Sequence, residues 1–354
     1  MEYKKLDAKI FDLLHKGTVI PAHPLALNAD RQLDEFRQRL LTNYYMASGA
    51  GGVAVGVHTT QFEIRRPEYN LLEPVLRMAA EEINKKSDSD TIIKVAGITG
   101  NTANAVKEAE MASHFGYHLG LISMGGLPDL SEDDLIKRTK EVAAKIPLFG
   151  FYLQPAAGGR LLSYEFWKQF VEIPNVYAIK IAAFNRYQTI DVVRAVCNSH
   201  RRDEIALYTG NDDNIIGDLI TPYQFNVKGK KTEKRFIGGL LGHWAVWTSK
   251  AVELLREIKS GKTDYETLLR KNISVTDMNA VIFDAKNSFH GCIPGIHEVL
   301  RRQGLLEGTW CLNPDEKMSA GQTDEIDRLY NDYPELTDDD FVKRFLVKEM
   351  KHQH

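Results

Sequence analysis

The sequence is poor in several features, each of which would have placed it in a class. Of 354 residues only three are cysteines, Cys197, Cys292 and Cys311, and no CxxC pair occurs. A disulfide scaffold, a cysteine-ligated zinc site and a dithiol redox pair are thereby excluded, and the three are expected to be reduced, buried thiols. No stretch approaches the roughly 18 uninterrupted apolar residues of a membrane-spanning helix. The opening MEYKKLDAKIFDLLHKG has neither the apolar run nor the small-residue cleavage site of a secretory signal. Positive charge is not in excess either, with 45 Lys and Arg against 48 Asp and Glu and a net of −3, so there is no basic field to hold nucleic acid or an anionic membrane. These absences lead to the expectation of a cytoplasmic protein that acts on small molecules, without a nucleic-acid or membrane partner.

What is present is an ordinary globular composition, 43% hydrophobic and 26% charged, large enough for a substantial core. Short apolar, β-branched runs alternate with longer segments of helical period: GTVIPA (17–22), GGVAVGV (51–57), TIIKVAG (91–97), HLGLIS (118–123), PLFGFYL (147–153), VYAIKIA (176–182), EIALYTG (204–210) and FIGGLLG (236–242). Capping signals open several of the intervening helices: Asp30 before QLDEFRQRLL, Asn101 before ANAVKEAEMA, and Ser131 with Glu132, Asp133 and Asp134 before LIKRTKEVAA. Eight βα pairs, with no GxGxxG turn after the first strand, predict a (β/α)8 TIM barrel rather than an open dinucleotide-binding sheet. Residues 1–260 are expected to form the barrel, with a short N-terminal helix, and 261–354 a C-terminal helical extension. The stretch 221–235, TPYQFNVKGKKTEKR, reads as an inserted polar, basic loop. In GCIPGIHEVLRRQGLLEG, Ile296, Val299 and Leu300 form an apolar face suited to covering barrel helices or another subunit.

Barrel enzymes carry their reacting groups at the C-terminal ends of the strands. Lys180 is the informative residue there, because VYAIKIAAF places an ammonium inside an apolar strand, where it is costly to leave unpaired. Desolvation lowers a lysine pKa, and the neutral amine can condense with a ketone to an imine that withdraws electrons from the neighbouring carbon. The alternatives are a lysine reaching out to solvent or paired with an acid. Tyr152 ends the adjacent strand, where a phenol can shuttle protons. Thr59 and Thr60 offer hydroxyls and backbone N–H groups at another strand end. His23, His58 and His243 follow strands one, two and eight. They suit substrate hydroxyl or carboxylate contacts, or could converge on a divalent metal, though no HxH spacing supports metal binding.

Taken together these residues resemble the dihydrodipicolinate synthase and N-acetylneuraminate lyase family of class I, Schiff-base aldolases. The resemblance runs from about Gly17 to Gly308. It rests on IPAHPLALNADRQLD, the Thr59-Thr60 pair, VAGITGNTANAVKEAEMASHFG, FYLQPAAGG against the family's YNxPxxxG, and AIKIAAF at the imine-lysine strand. Tyr152 and Lys180 are 28 positions apart, the family's separation. The resemblance implies that Lys180 forms the imine, Tyr152 transfers protons with Thr60 linked to it, and Thr59 holds the carboxylate of a pyruvate-like unit. It further implies that Gly210 and Asp212 of YTGNDD shape the pocket, that no cofactor or metal is needed, and that the chain forms a homo-oligomer, a tetramer or dimer.

Several positions depart from the family pattern. HTTQF stands where the family has GTTGE, Ala157 where the synthases carry an arginine with Arg160 nearby but out of register, and SMGGLPD where they carry an aromatic pair. The last two departures argue against lysine biosynthesis. The leading expectation is a lyase or aldolase that cleaves or forms a carbon–carbon bond of a 2-oxo acid. The alternatives are a 2-oxo-3-deoxy sugar-acid dehydratase using the same imine, a dihydrodipicolinate synthase-like condensing enzyme, a metal-dependent aldolase, and a non-catalytic ligand-binding barrel.

Overall fold

The computed structural model describes residues 3–85 and 91–351. Its strands are β1 (Val19–Pro21), β2 (Gly52–Val55), β3 (Ile93–Ile98), β4 (Leu119–Ile122), β5 (Leu148–Leu153), β6 (Val176–Ala182), β7 (Ala206–Thr209), β8 (Tyr223–Val227), β9 (Lys230–Lys234) and β10 (Phe236–Leu241). Its helices are α1 (Ala8–Lys16), α2 (Glu35–Ala47), α3 (Leu72–Asn84), α4 (Thr102–His114), α5 (Glu132–Ala143), α6 (Tyr164–Phe170), α7 (Arg186–Asn198), α8 (Ile215–Ile220), α9 (Thr248–Ser260), α10 (Tyr265–Ile282), α11 (Cys292–Arg302), α12 (Gln322–Asp332) and α13 (Asp339–Lys351).

Eight strands form one sheet in the order β1, β10, β7, β6, β5, β4, β3, β2. A parallel bridge between Ala22 and Ala54 joins the two ends of that order. The architecture is the expected (β/α)8 barrel, followed by helices at the C-terminus. Asn101 and Ser131 cap α4 and α5 as their sequences predict, each side chain accepting from a backbone N–H three residues on. The cap of α2 is Asp34, not Asp30. Asn28 captures the N–H groups of Asp30 and Gln32 in a local turn, which delays the helix by one turn.

The 221–235 insertion is not a loop. It is the antiparallel hairpin β8–β9, turning at Lys228 and Gly229, both with positive φ, as a two-residue hairpin turn requires. Tyr223, Phe225 and Val227 alternate with Gln224 and Asn226, a period-two pattern that the surrounding lysines obscure.

The chain divides into two compact units, Met1–Thr18 with Ile93–Leu240, and Val19–Ile92 with Leu241–His354. This division does not coincide with the boundary expected at residue 260. In the first unit, a Cβ at Gly150 of β5 would meet the Phe170 ring at 2.6 Å, so that face of the strand is turned to α6. Residues 149 and 151 lie on the opposite face, where Phe149 packs edge-on against Tyr208 at 5.3 Å. The register pairs Phe149 with Ala178 and Phe151 with Lys180, which puts the lysine on this same face.

In the second unit the buried Asp338 accepts hydrogen bonds from the Tyr44 hydroxyl (2.8 Å), the Ser249 N–H (3.1 Å) and Gln303 (2.8 Å), tying the segment before α13 to α2 and α9. Residues 292–300 of α11 are buried throughout. The Ile296, Val299 and Leu300 face is therefore covered within the chain and is not a subunit surface. Trp244 and Trp247 are fully buried, the three cysteines are buried thiols, and among the described residues no helix is long and apolar enough to cross a membrane.

Candidate active site

Lys180 lies near the C-terminal end of β6, only 8% exposed. Its ammonium stands 4.5 Å above the Phe151 ring, an arrangement that offsets a small part of the cost of burying a charge. Burial depresses its pKa from 10.5 to about 8, opposed by the negative charge of Asp212. At pH 7 roughly one molecule in ten then carries a neutral amine there, against about one in 3,000 for an ordinary lysine.

A glycine beside it leaves room for the lysine stem. A Cβ at Gly210, just after β7, would lie 2.5 Å from Lys180 Cε and 2.9 Å from Ala182 Cβ. Gly210 is drawn against β6 by its N–H, which donates to the Ile181 carbonyl at 2.7 Å, and the Asp212 N–H closes back on the Gly210 carbonyl at 3.1 Å. Asn211, between them, accepts from the Phe184 N–H at 3.0 Å. Lys180, Gly210 and Asp212 thus lie together.

Tyr152 is not part of that group. It is in register with Ile181, and Phe151 with Lys180, so the strand's alternation turns the phenol away from the lysine face. Its ring packs 5.2 Å from Trp167. Its hydroxyl lies among the Leu162 backbone groups, 3.4 Å from the carbonyl and 3.3 Å from the N–H. Burial raises its pKa further. The phenol is therefore not brought to Lys180, the placement that the proton-transfer role implied by the resemblance requires. The β5–β6 ladder has an irregularity at Leu148/Phe149: the offset of 28 at Leu148–Val176 becomes 29 from Phe149–Ala178 onward, and a one-residue slip exchanges the two faces of a strand.

In the second unit, His58–Thr60 form a single 3₁₀ turn after β2. The Thr60 hydroxyl donates to the His23 carbonyl (2.7 Å) and accepts from the Gly56 and Val57 N–H groups (3.0 and 3.2 Å). That uses its one proton and both lone pairs, so Thr60 shapes the turn and has no proton left to relay. Thr59 donates to the Ala22 carbonyl at 2.8 Å. Gln61, where the resemblance expects glycine, has φ of 66°, a conformation glycine adopts at no cost. Its side chain compensates by accepting the Leu312 N–H at 2.7 Å.

Two of the three candidate histidines, His23 and His243, are buried. His23 is fully buried with its pKa lowered to about 4 by desolvation. Its Nδ1 donates to the Pro24 carbonyl (2.7 Å) and its Nε2 accepts from Thr42 (2.9 Å), which leaves neither nitrogen for a substrate. His243 is likewise buried and lowered to about 4, with Asn279 as a hydrogen-bond partner. His58 packs edge-on to Phe62 at 5.9 Å. Among the described residues no three His, Cys, Asp or Glu side chains are grouped to hold a metal ion, so the converging-imidazole arrangement does not form.

No protein-family model matches the sequence, and no curated protein does. Solved structures do match. The N-acetylneuraminate lyase of Fusobacterium nucleatum aligns over 90% of this chain and 99% of its own with a TM-score of 0.70 at 16% identity. The dihydrodipicolinate synthase of Oceanobacillus iheyensis aligns over 92% and 99% with a TM-score of 0.73 at 17% identity. A prophage protein of the dihydrodipicolinic acid synthase family from E. coli K12, solved in complex with pyruvate, aligns over 89% and 97% with a TM-score of 0.72 at 16% identity. This chain has the lyase–synthase fold.

Within the lyase–synthase fold, one residue against Lys180 and one bonded to the turn beside it escaped the sequence reading. Phe151 was passed over because the neighbouring Tyr152 fits the family motif. Asp218, in IIGDLI, is a lone acid in an apolar helix and is fully buried. That is the same signal that singled out Lys180. The out-of-register Arg160 donates through Nη1 to the Leu127 and Leu130 carbonyls and so secures the SMGGLPD loop.

Proposed function

We propose that the protein is a class I lyase or aldolase that binds a pyruvate-type 2-oxo acid as a Schiff base on Lys180 and uses it to cleave or form a carbon–carbon bond. The observation that carries this reading is the lysine itself: an amine held in apolar surroundings at a barrel strand's C-terminal end, with its pKa lowered to about 8. The lyase–synthase fold supports it, as does pyruvate in the complex of the prophage protein.

In cleavage, the neutral amine adds to the C2 carbonyl, and water leaves with uptake of one proton from solvent, giving a protonated imine. The C3–C4 bonding electrons flow into that imine as the C4 hydroxyl gives up its proton and departs as an aldehyde. The resulting enamine takes a proton at C3, and water releases pyruvate and the free lysine. With Phe151, not a phenol, facing Lys180, the proton acceptor in this reading is Asp212, whose charge acts on the lysine. Association into a homodimer or homotetramer remains part of the proposal and rests on the resemblance.

Incubation with a panel of N-acylneuraminic acids and 2-oxo-3-deoxy sugar acids, with separate assays for pyruvate and for aldehyde, tests the reaction. Equimolar release of both is expected from at least one substrate. A dehydrated 2-oxo acid without pyruvate would replace cleavage by elimination.

A further inference from the structure

The inserted hairpin has no part in the barrel sheet, yet its first residue is tied to the turn beside Lys180. Asp218 is the link. Its carboxylate is fully buried in α8 and is held from both sides. Oδ1 takes Arg186 Nη1 at 2.5 Å and the Tyr223 hydroxyl at 3.1 Å, and Arg186 also donates to the Tyr223 hydroxyl. Oδ2 takes the Thr209 hydroxyl at 2.7 Å and Asn211 Nδ2 at 2.8 Å. Arg186 opens α7, directly after the loop that leaves the lysine strand, and Tyr223 opens the hairpin. Thr209 and Asn211 flank Gly210, the residue whose missing side chain makes room for the Lys180 stem.

A buried carboxylate with four donors is costly to disturb, because each donor left behind is itself without a partner. We infer that Asp218 is a positioning residue for Lys180: braced by Arg186 and the hairpin's Tyr223 on one oxygen, it holds Thr209 and Asn211 with the other and so fixes Gly210 against the lysine. The inserted hairpin is accordingly a strut for the site. This extends the proposed function but does not depend on imine formation, since it concerns only the setting of the amine.

The groups facing Lys180 within its own unit are Phe151 of β5, Tyr208 of β7, whose hydroxyl donates to the Leu14 carbonyl at 2.9 Å, and Asp212. Among the described residues Asp212 is the charged one. Burial is the larger influence on the lysine and Asp212 the smaller, so loosening the turn admits water and moves the amine back toward ordinary basicity.

The test is the pH dependence of Lys180 modification by trinitrobenzenesulfonate, read by mass analysis of its peptide. This reagent attacks any neutral amine, whether or not a 2-oxo acid binds. Wild type is expected to show an inflection near pH 8. Asp218→Asn is expected to raise it by about one unit, with roughly tenfold slower labelling at pH 7, and Tyr223→Phe to raise it by less. An unchanged inflection in folded Asp218→Asn would overturn the inference. If that variant does not fold, an unchanged inflection in Tyr223→Phe would do so. An equal shift in Asp277→Asn, which breaks the ion pair to Arg328 between α10 and α12, would also overturn it, because the effect would then be general loosening.

Discussion

Between pH 8 and 10.5 the unfolded chain holds a proton at Lys180 that the folded chain has released, so stability rises with pH through that window. At pH 7 the buried ammonium costs about 3 kcal/mol. Lys180→Met is expected to be more stable than wild type by roughly that amount at pH 7 in urea denaturation, with the gap closing by pH 10.5. A variant no more stable than wild type at pH 7 would show that the ammonium is not buried at a cost. The neighbouring tyrosine gives an opposite kind of prediction. Tyr152→Phe removes only long hydrogen bonds to the Leu162 backbone, so about 1 kcal/mol of stability is lost and activity stays within a few-fold of wild type. A loss of a hundredfold or more in kcat would restore the phenol to the mechanism. At this scale the lysine was legible because a charge in an apolar strand has few explanations. The tyrosine was misplaced because distance along the chain does not report a slip in the ladder between Leu148 and Phe149.

At the scale of elements, the turn after β7 carries a steric condition that bears directly on Lys180. Gly210→Ala puts a methyl group 2.5 Å from Lys180 Cε, so the lysine or the turn must shift, at a cost of about 1–3 kcal/mol. Imine formation with pyruvate is expected to fall at least tenfold, with far-UV circular dichroism unchanged. Wild-type rates of adduct formation in this variant would mean that the turn has slack. The strands, and the caps of α4 and α5, were legible because apolar runs and Asn or Ser before acidic or polar first turns are local signals. The hairpin was not, because β8 shows its alternation only at Tyr223, Phe225 and Val227 among polar neighbours. The α2 cap was missed because Asn28 competes for the N–H groups ahead of it.

For the whole molecule, the count of βα units led directly to the barrel, since eight strands with crossover helices leave few topologies. The division into units was hidden. Helices after residue 260 share a unit with β1 and β2, and contacts such as Tyr44 with Asp338 join residues nearly 300 positions apart, beyond the reach of any local pattern. What turns this barrel into a proposed catalyst is the single amine of Lys180. Its most direct test is to add pyruvate, reduce with borohydride and read the mass of the peptide that contains Lys180. The account predicts the reduced pyruvate adduct on that lysine, with formation rising toward a pH near 8 and absent in Lys180→Met. No adduct with any 2-oxo acid, or an adduct that persists on another lysine when Lys180 is replaced, would contradict it.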